Sequence, residues 1–244
     1  MRTLDLSNNN IKSLGRLSTL TELKSLNLDK NALRAGSLSE ISKTAKLQSL
    51  SCAHNSLGVA PSSAQKGAAP TKASPPPKEI SNTMSLPPLP VSLKQIMLAS
   101  NQLHSFPQSL LSPSLVKLEK IDLSDNQISQ VPEAISALVG IQELRLDRNL
   151  IAILPNSMGE MKKLKVLSLK NNRITVKSTT FTEKNPQPIP ASLFTDTPLI
   201  DLNLHGNKMS NTQLNQFDGF DSFLERRQKV KSKTLTNLEV CGLE

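Results

Sequence analysis

The same eleven-residue pattern occurs eight times in this chain of 244 residues. Apolar side chains occupy positions 1, 4, 6 and 11 of the pattern, and asparagine occupies position 9. The copies begin at Met1, Leu23, Leu47, Leu93, Leu118, Ile141, Leu164 and Leu199. Such regular recurrence restricts the chain to an architecture of similar units stacked in a row.

Within each copy, the apolar positions 4 and 6 alternate with mostly polar positions 3, 5 and 7. A period of two is typical of a short strand with one buried face. The asparagine amide has both donors and an acceptor, so it can satisfy backbone groups of the turn after the strand. We expect these amides to form a structural ladder behind the strands; they are Asn9, Asn31, Asn55, Asn101, Asn126, Asn149, Asn172 and Asn207.

This spacing is the leucine-rich-repeat signature. It predicts an α/β solenoid, which is a horseshoe of about eight repeats with a parallel sheet on its concave face and a capping helix at its C-terminal end. Five of the seven steps between successive starts lie between 22 and 25 residues, as expected for this class.

Two longer steps predict insertions. The step of 46 residues contains a Pro/Ala/Ser/Lys-rich stretch at 58–92, whose composition buries little apolar surface. We predict a disordered insertion there, between repeats 1–3 at 1–57 and repeats 4–8 at 93–209. A proline-rich ligand for another domain is the alternative for this stretch. The last step of 35 residues predicts a loop at 176–188.

The two ends of the chain differ. Apolar residues at helical spacing predict a capping helix at 210–230 that covers the last leucine layer, followed by a flexible basic tail at 231–244. At the other end, Met1 itself fills position 1 of the first copy, so no residue precedes this apolar layer. We expect that the first repeat frays, that a partner covers it, or that an N-terminal part is missing.

The formal net charge is +9, and basic residues concentrate at Arg226, Arg227, Lys229, Lys231 and Lys233. A basic segment can contact nucleic acid or an acidic membrane, but a solvated face of the capping helix is the simpler interpretation. Because the chain has no Trp or Tyr, side chains that stack on bases are scarce, and we do not expect nucleic-acid binding.

The sequence shows none of the usual features of export or membrane insertion. It has two cysteines and therefore no disulfide framework, and no apolar run approaches the roughly 18 residues that span a bilayer. We predict a cytoplasmic chain, with membrane association as the alternative.

The C-terminal part also resembles a known family. Residues 216–227 resemble the end of small intracellular leucine-rich-repeat proteins of plants and animals, whose animal members are called leucine-rich repeat-containing protein 57. Residues 2–9 resemble the first full repeat of that family. The resemblance implies a protein-binding scaffold. Family members often begin with Met-Gly in a myristoylation context, whereas Arg2 follows Met1 here, and the insertion at 58–92 also departs from the family.

Catalytic and metal-binding motifs do not occur in the sequence. The three histidines lack metal-ligand spacing to cysteines or carboxylates, and the chain has no phosphate-binding glycine loop or nucleophile motif. We therefore predict a chain that is not an enzyme and has no cofactor, no metal and no small-molecule substrate.

Binding is the remaining class of function. We predict a monomeric protein–protein interaction scaffold, acting in intracellular signalling, that binds an unidentified protein partner through variable strand residues on the concave face. The candidate contact residues are Asp122, Asp125, Arg145, Asp147, Arg148, Lys165, Lys170 and Asn203. Their charge changes from acidic to basic along the array, which a partner of complementary charge could use.

The predicted binding role of the concave face has one alternative, and the predicted function of the chain has another. The concave sheet could be an ordinary solvated surface of mixed charge. The chain could also be a peripheral membrane-associated adaptor, which uses the basic tail or a lipidated N-terminus that this sequence lacks.

Overall fold

A computed structural model describes residues 1–59, 86–176, 181–182 and 186–233. Eight strands form one parallel sheet whose strands follow one another in chain order. Each strand covers positions 3 to 5 of one copy of the pattern. The strands are β1 Thr3–Asp5, β2 Ser25–Asn27, β3 Ser49–Ser51, β4 Gln95–Met97, β5 Lys120–Asp122, β6 Glu143–Arg145, β7 Val166–Ser168 and β8 Asp201–Asn203. The predicted solenoid and its parallel sheet are confirmed.

The register between strands is the same at every step. Residues at position 4 pair with one another along the sheet, from Leu4 with Leu26 to Leu167 with Leu202. Because side chains alternate along a strand, position 4 forms one buried row and positions 3 and 5 face the concave side. Every strand therefore presents two variable side chains to solvent.

The sheet is continuous across both of the longer intervals between repeats. Strand β3 pairs directly with β4, and β7 pairs directly with β8. Of the predicted insertion at 58–92, residues 60–85 lie outside the described residues, and so do 177–180 and 183–185 of the predicted loop. The segment leading into repeat 4 rejoins the core through Leu86 and Leu89, which are buried.

Short helical segments form the back of the solenoid. They are 3₁₀ helices at Leu17–Thr19, Ser39–Lys43, Gln108–Leu111, Glu133–Ala137 and Asn156–Glu160, and the α-helix α1 at Ala191–Thr195. The last four of these segments begin directly after a proline. Proline has no N–H to leave unsatisfied and holds φ near the helical value, so it starts these short helices at a fixed place.

The core is one continuous apolar cluster that runs through all the repeats. Its first layer is thinner, since Leu4, Leu6 and Ile11 are only partly buried. Cys52 holds position 6 of the third repeat and is buried in this core. Its burial raises the pKa of the thiol far above the usual value.

The C-terminal cap consists of two helices, α2 at Asn211–Leu214 and α3 at Phe220–Lys233, rather than the single helix that we predicted. The break occurs at Gly219, whose φ of 79° is a left-handed conformation that glycine adopts without strain. A side chain there would also meet the carbonyl oxygen of Ala191 at 3.1 Å. The break therefore lets α3 turn back onto α1.

Aromatic side chains join the cap to the last repeat. The ring of Phe194 in α1 lies 5.4 Å from that of Phe220 and 6.2 Å from that of Phe223. All three rings are buried, as is Phe217. The aromatic residues of the cap thus belong to the hydrophobic core and cover its C-terminal end.

Two of the basic residues near the C-terminus also belong to the cap. The guanidinium of Arg226 donates to the carbonyl of Leu199 at 3.0 Å and to that of Phe194 at 2.6 Å. Arg227 is only 7% exposed. The tail at 234–244 and the side chains of Lys231 and Lys233 lie outside the described residues. The predicted basic face is therefore smaller than the sequence suggests, because two guanidinium groups pack against the last repeat.

The asparagines at position 9 connect neighbouring repeats. The Asn126 amide donates to the carbonyl of Leu123 in its own repeat at 2.9 Å and to that of Leu98 in the preceding repeat at 3.1 Å. Its oxygen accepts from the backbone N–H of Leu103, also in the preceding repeat, at 2.9 Å. Every asparagine of the ladder after Asn9 makes the equivalent contacts. The ladder therefore fixes each repeat to the one before it.

We expect Asn126→Ala to lower the free energy of unfolding by about 1–3 kcal/mol, because it leaves buried backbone groups of two repeats without partners. Urea denaturation measures this change. Asn9→Ala is the matched control: Asn9 is exposed and bonds only to carbonyls within its own repeat, so the loss should be much smaller. Equal losses for the two variants would contradict a role for the ladder between repeats.

Candidate functional site

The predicted contact residues occupy several rows of the concave face. Asp122 and Arg145 hold position 5 of neighbouring strands and are direct partners in register. Asp125 and Arg148 hold position 8, just after the strand. Lys165 holds position 2, before β7, and so lies at the opposite edge of the sheet from Arg148. The structure therefore brings together the residues of repeats 5 and 6 and leaves Lys165 apart.

Position 8 adopts the same unusual conformation in every repeat. Its φ is positive in all eight copies: Asn8, Lys30, His54, Ser100, Asp125, Arg148, Asn171 and Gly206. Glycine takes this left-handed conformation without strain, and Asn, Asp and His are the other residues that favour it, so the sequence carries a signal for it at five of the eight positions. This conformation was not among the features that we predicted.

One ion pair joins position 8 of repeats 5 and 6. The Arg148 guanidinium contacts the Asp125 carboxylate through two nitrogens. This hydrogen bonding lowers the pKa of Asp125 and raises that of Arg148. Two-point contact of this kind is geometrically specific, so it orients the arginine as well as its partner.

A second charged group lies at positions 3 and 5 of the same repeats. Glu143 accepts from Lys120 Nζ at 2.9 Å and from Arg145 Nε at 2.7 Å. Partial burial opposes ionisation of Glu143, but the hydrogen bonds to these two cations prevail, and its pKa is lowered. Lys120 and Glu143 were missing from our predicted contact residues. The pattern did contain the information, because position 3 lies on the same face as position 5.

Several predicted contact residues also support the backbone. Asp147 accepts from the hydroxyl of Ser168 at 2.6 Å and from the N–H of Lys170 at 2.8 Å, both in the next repeat. Asp122 and Asn203 each accept from the backbone N–H two residues further along their own repeat. These polar side chains thus fix the exit of the strand, in addition to any role in binding.

A small hollow lies where β4, β5 and β6 meet on the concave face. Its volume is about 220 Å³, and it is lined by Gln95, Met97, Lys120, Asp122, Glu143 and Arg145. Met97 supplies a flexible apolar side chain at the edge of the charged group. We call the hollow together with the Arg148–Asp125 pair the concave patch.

The described part of the chain contains no group of three or more His, Cys, Asp or Glu side chains that could hold a metal ion. None of its helices is long and apolar enough to cross a membrane.

Comparisons with known proteins agree with this geometry. Family models described as leucine-rich repeat match residues 91–151 and 1–20. The chain has the leucine-rich-repeat fold. No curated protein sequence matches the chain.

Solved structures show the fold of this leucine-rich-repeat chain at low sequence identity. A leucine-rich-repeat protein of Leptospira interrogans superposes with a TM-score of 0.64 over 95% of this chain, at 23% identity. An internalin of Listeria monocytogenes does so with a TM-score of 0.61 over 91%, at 18% identity. A plant peptide hormone receptor superposes with a TM-score of 0.59 over 88% of this chain and 30% of its own, at 20% identity. The chain spans 52% of the length of each of the two bacterial proteins.

We expect Glu143→Gln to destabilise the protein by up to about 1 kcal/mol at neutral pH and by less at pH 3. The lowered pKa of Glu143 means that its stabilisation is present above the unfolded value, near 4.3, and disappears as the pH falls through the folded value. Urea denaturation at both pH values measures the difference. Glu225→Gln on the exposed face of α3 is the control and should have little effect at either pH. A Glu143→Gln loss that stays constant with pH would contradict this explanation.

Proposed function

We propose that this protein is a non-enzymatic interaction module that binds a protein partner on the concave face of repeats 4–7. The observation that carries the proposal is the concave patch, where Arg145 and Arg148 are each held by a carboxylate and the partly buried Met97 lines the hollow. Arginine and flexible apolar side chains together are typical of protein-binding surfaces.

The size and shape of the face favour a protein over a small molecule. A hollow of about 220 Å³ is below the roughly 300–1,000 Å³ of usual ligand pockets. In contrast, eight strands spaced about 4.8 Å apart provide a surface roughly 35 Å long. The plant receptor with the same fold was solved in complex with its peptide hormone, which supports a polypeptide ligand for this face.

Hydrogen bonds between neighbouring repeats support binding, because they restrict side chains of the concave face that a partner would otherwise have to order. The carboxylate of Asp147 bonds to the next repeat, and Glu143 bonds to Lys120 of the preceding one. Side chains held before binding lose less entropy on binding. The exposed cations also attract a partner with an acidic surface and increase its association rate.

The finer parts of the hypothesis rest on the sequence. The resemblance to the small intracellular family of plants and animals supports a protein-binding scaffold, and we propose in addition that it is monomeric and acts in the cytoplasm and in signalling. Membrane association through the basic tail is the alternative, and the packing of Arg226 and Arg227 into the cap leaves it fewer cations.

We expect the double variant Arg145→Glu/Arg148→Glu to recover its partner at least about tenfold less efficiently than wild type, since a charge reversal on both arginines opposes an acidic surface. Affinity purification from cells with quantitative mass spectrometry measures recovery, and purified components then measure the affinity. Arg173→Glu, a charge reversal at the exposed residue directly after Asn172 of the ladder, is the matched control. Unchanged recovery by the double variant would reject the concave patch.

A further inference from the structure

A row of three exposed valines lies outside the concave face. Val91, Val116 and Val139 occupy the same place in repeats 4, 5 and 6, two residues before position 1, and are 58%, 53% and 51% exposed. Each is the second residue of a turn in which the first carbonyl accepts from the N–H at position 1. Turns favour Pro, Asn, Asp, Gly and Ser, whereas valine favours strands. Local structure therefore does not account for the three valines.

The turns that carry these valines are packed tightly against one another. A side chain at Gly140 would meet the carbonyl oxygens of Val116 and Leu118 at 2.5 and 2.7 Å, so only glycine allows the approach. The hydroxyl of Ser92 donates to the carbonyl of Leu47 in the preceding repeat at 2.6 Å. The valine row is thus a fixed apolar ridge.

Basic side chains lie within the ridge and on both sides of it: Lys94 and Lys117 in repeats 4–6, and Lys46, Lys162, Lys163 and Lys165 in the repeats next to them. We define the strand-start edge as position 2 of each repeat together with the two turn residues before position 1. This edge carries eight basic residues and two acidic ones, an excess of six in a chain whose net charge is +9. All eight basic side chains are exposed: Arg2, Lys24, Lys46, Lys94, Lys117, Lys162, Lys163 and Lys165. A hollow of about 420 Å³ near the strand starts of repeats 2–5 is lined by Lys24, Lys94 and Lys120 and by one acidic residue, Glu119.

We propose that the strand-start edge is a second interaction surface, which binds an acidic amphipathic helix of a partner protein across the turns of repeats 4–6. Neighbouring repeats are about 4.8 Å apart and a helix rises about 5.4 Å per turn, so one apolar residue per turn follows the three valines to within about 1 Å. An extended strand places residues of one face about 6.6 Å apart, which does not match the spacing of about 4.8 Å between repeats. Carboxylates beside the apolar stripe of the helix meet the lysines.

Charge and composition favour this partner over the alternatives. Two copies of this chain would bring like-charged edges together, which repel. Residues 60–85 of the chain itself contain three lysines and one glutamate, so their charge has the same sign as that of the edge. Membrane-surface segments favour Trp and larger apolar side chains, and the ridge offers only valines.

A synthetic peptide tests the proposal with the full chain. The fluorescein-labelled probe is a helix of about five turns with one leucine per turn and glutamates on both sides of that stripe. We expect it to bind in fluorescence anisotropy, to bind more weakly as salt is raised, and to lose affinity at least about tenfold in Val116→Asp/Val139→Asp. Ile153→Asp is the matched control, since Ile153 is 46% exposed near Pro132 and Pro155, at the back of the solenoid and away from the edge. Equal melting temperatures exclude unfolding as the cause.

Three results would overturn the proposal. The first is equal affinity of the peptide for wild type and for the valine variant. The second is equally tight binding of a peptide in which lysines replace the glutamates. The third is that wild type leaves the acidic peptide unbound, while the valines are needed instead for cosedimentation with phosphatidylserine vesicles or for self-association in analytical ultracentrifugation.

Discussion

The asparagine amide at position 9 is the interaction on which the rest of the structure depends. A strand of three residues must be followed by a turn whose backbone groups are buried between repeats, and unpaired groups there would be costly. One amide satisfies groups of two repeats at once, because its nitrogen donates to both and its oxygen accepts from the preceding one. The register of the sheet follows from this, since each repeat is positioned by the last.

The ladder also determines the form of the binding face. It fixes the strand exit in a turn whose position 8 is left-handed in all eight repeats. This geometry places Asp125 beside Arg148, although 23 residues separate them in sequence. The Asp147 carboxylate then accepts hydrogen bonds from residues at the end of the next strand. The concave patch is therefore held by side-chain pairs between neighbouring repeats that the ladder has positioned.

The two surfaces that we propose have different physical origins. On the concave face, the alternation of side chains along each strand exposes two residues per repeat to solvent, so residues of different charge and size can stand at these positions. On the strand-start edge, the tight turns would accept small polar residues, yet three repeats present valine in a basic surrounding. The first surface suits a partner that fills the curve of the solenoid, and the second suits one that crosses the turns from the side.

The sequence by itself determined the architecture, the eight strands and the asparagine ladder, because a repeated pattern reports the same local environment eight times. It also placed Asp122 and Arg145 on the concave face. Only the tertiary structure decided which charged groups pair, as with Lys120, Glu143 and Arg145, because the repeat places several charged side chains within reach of one another and the side-chain conformations select among them. It likewise turned Arg226 inward and broke the cap at Gly219, because packing against α1 in the last repeat, rather than local propensity, fixes both.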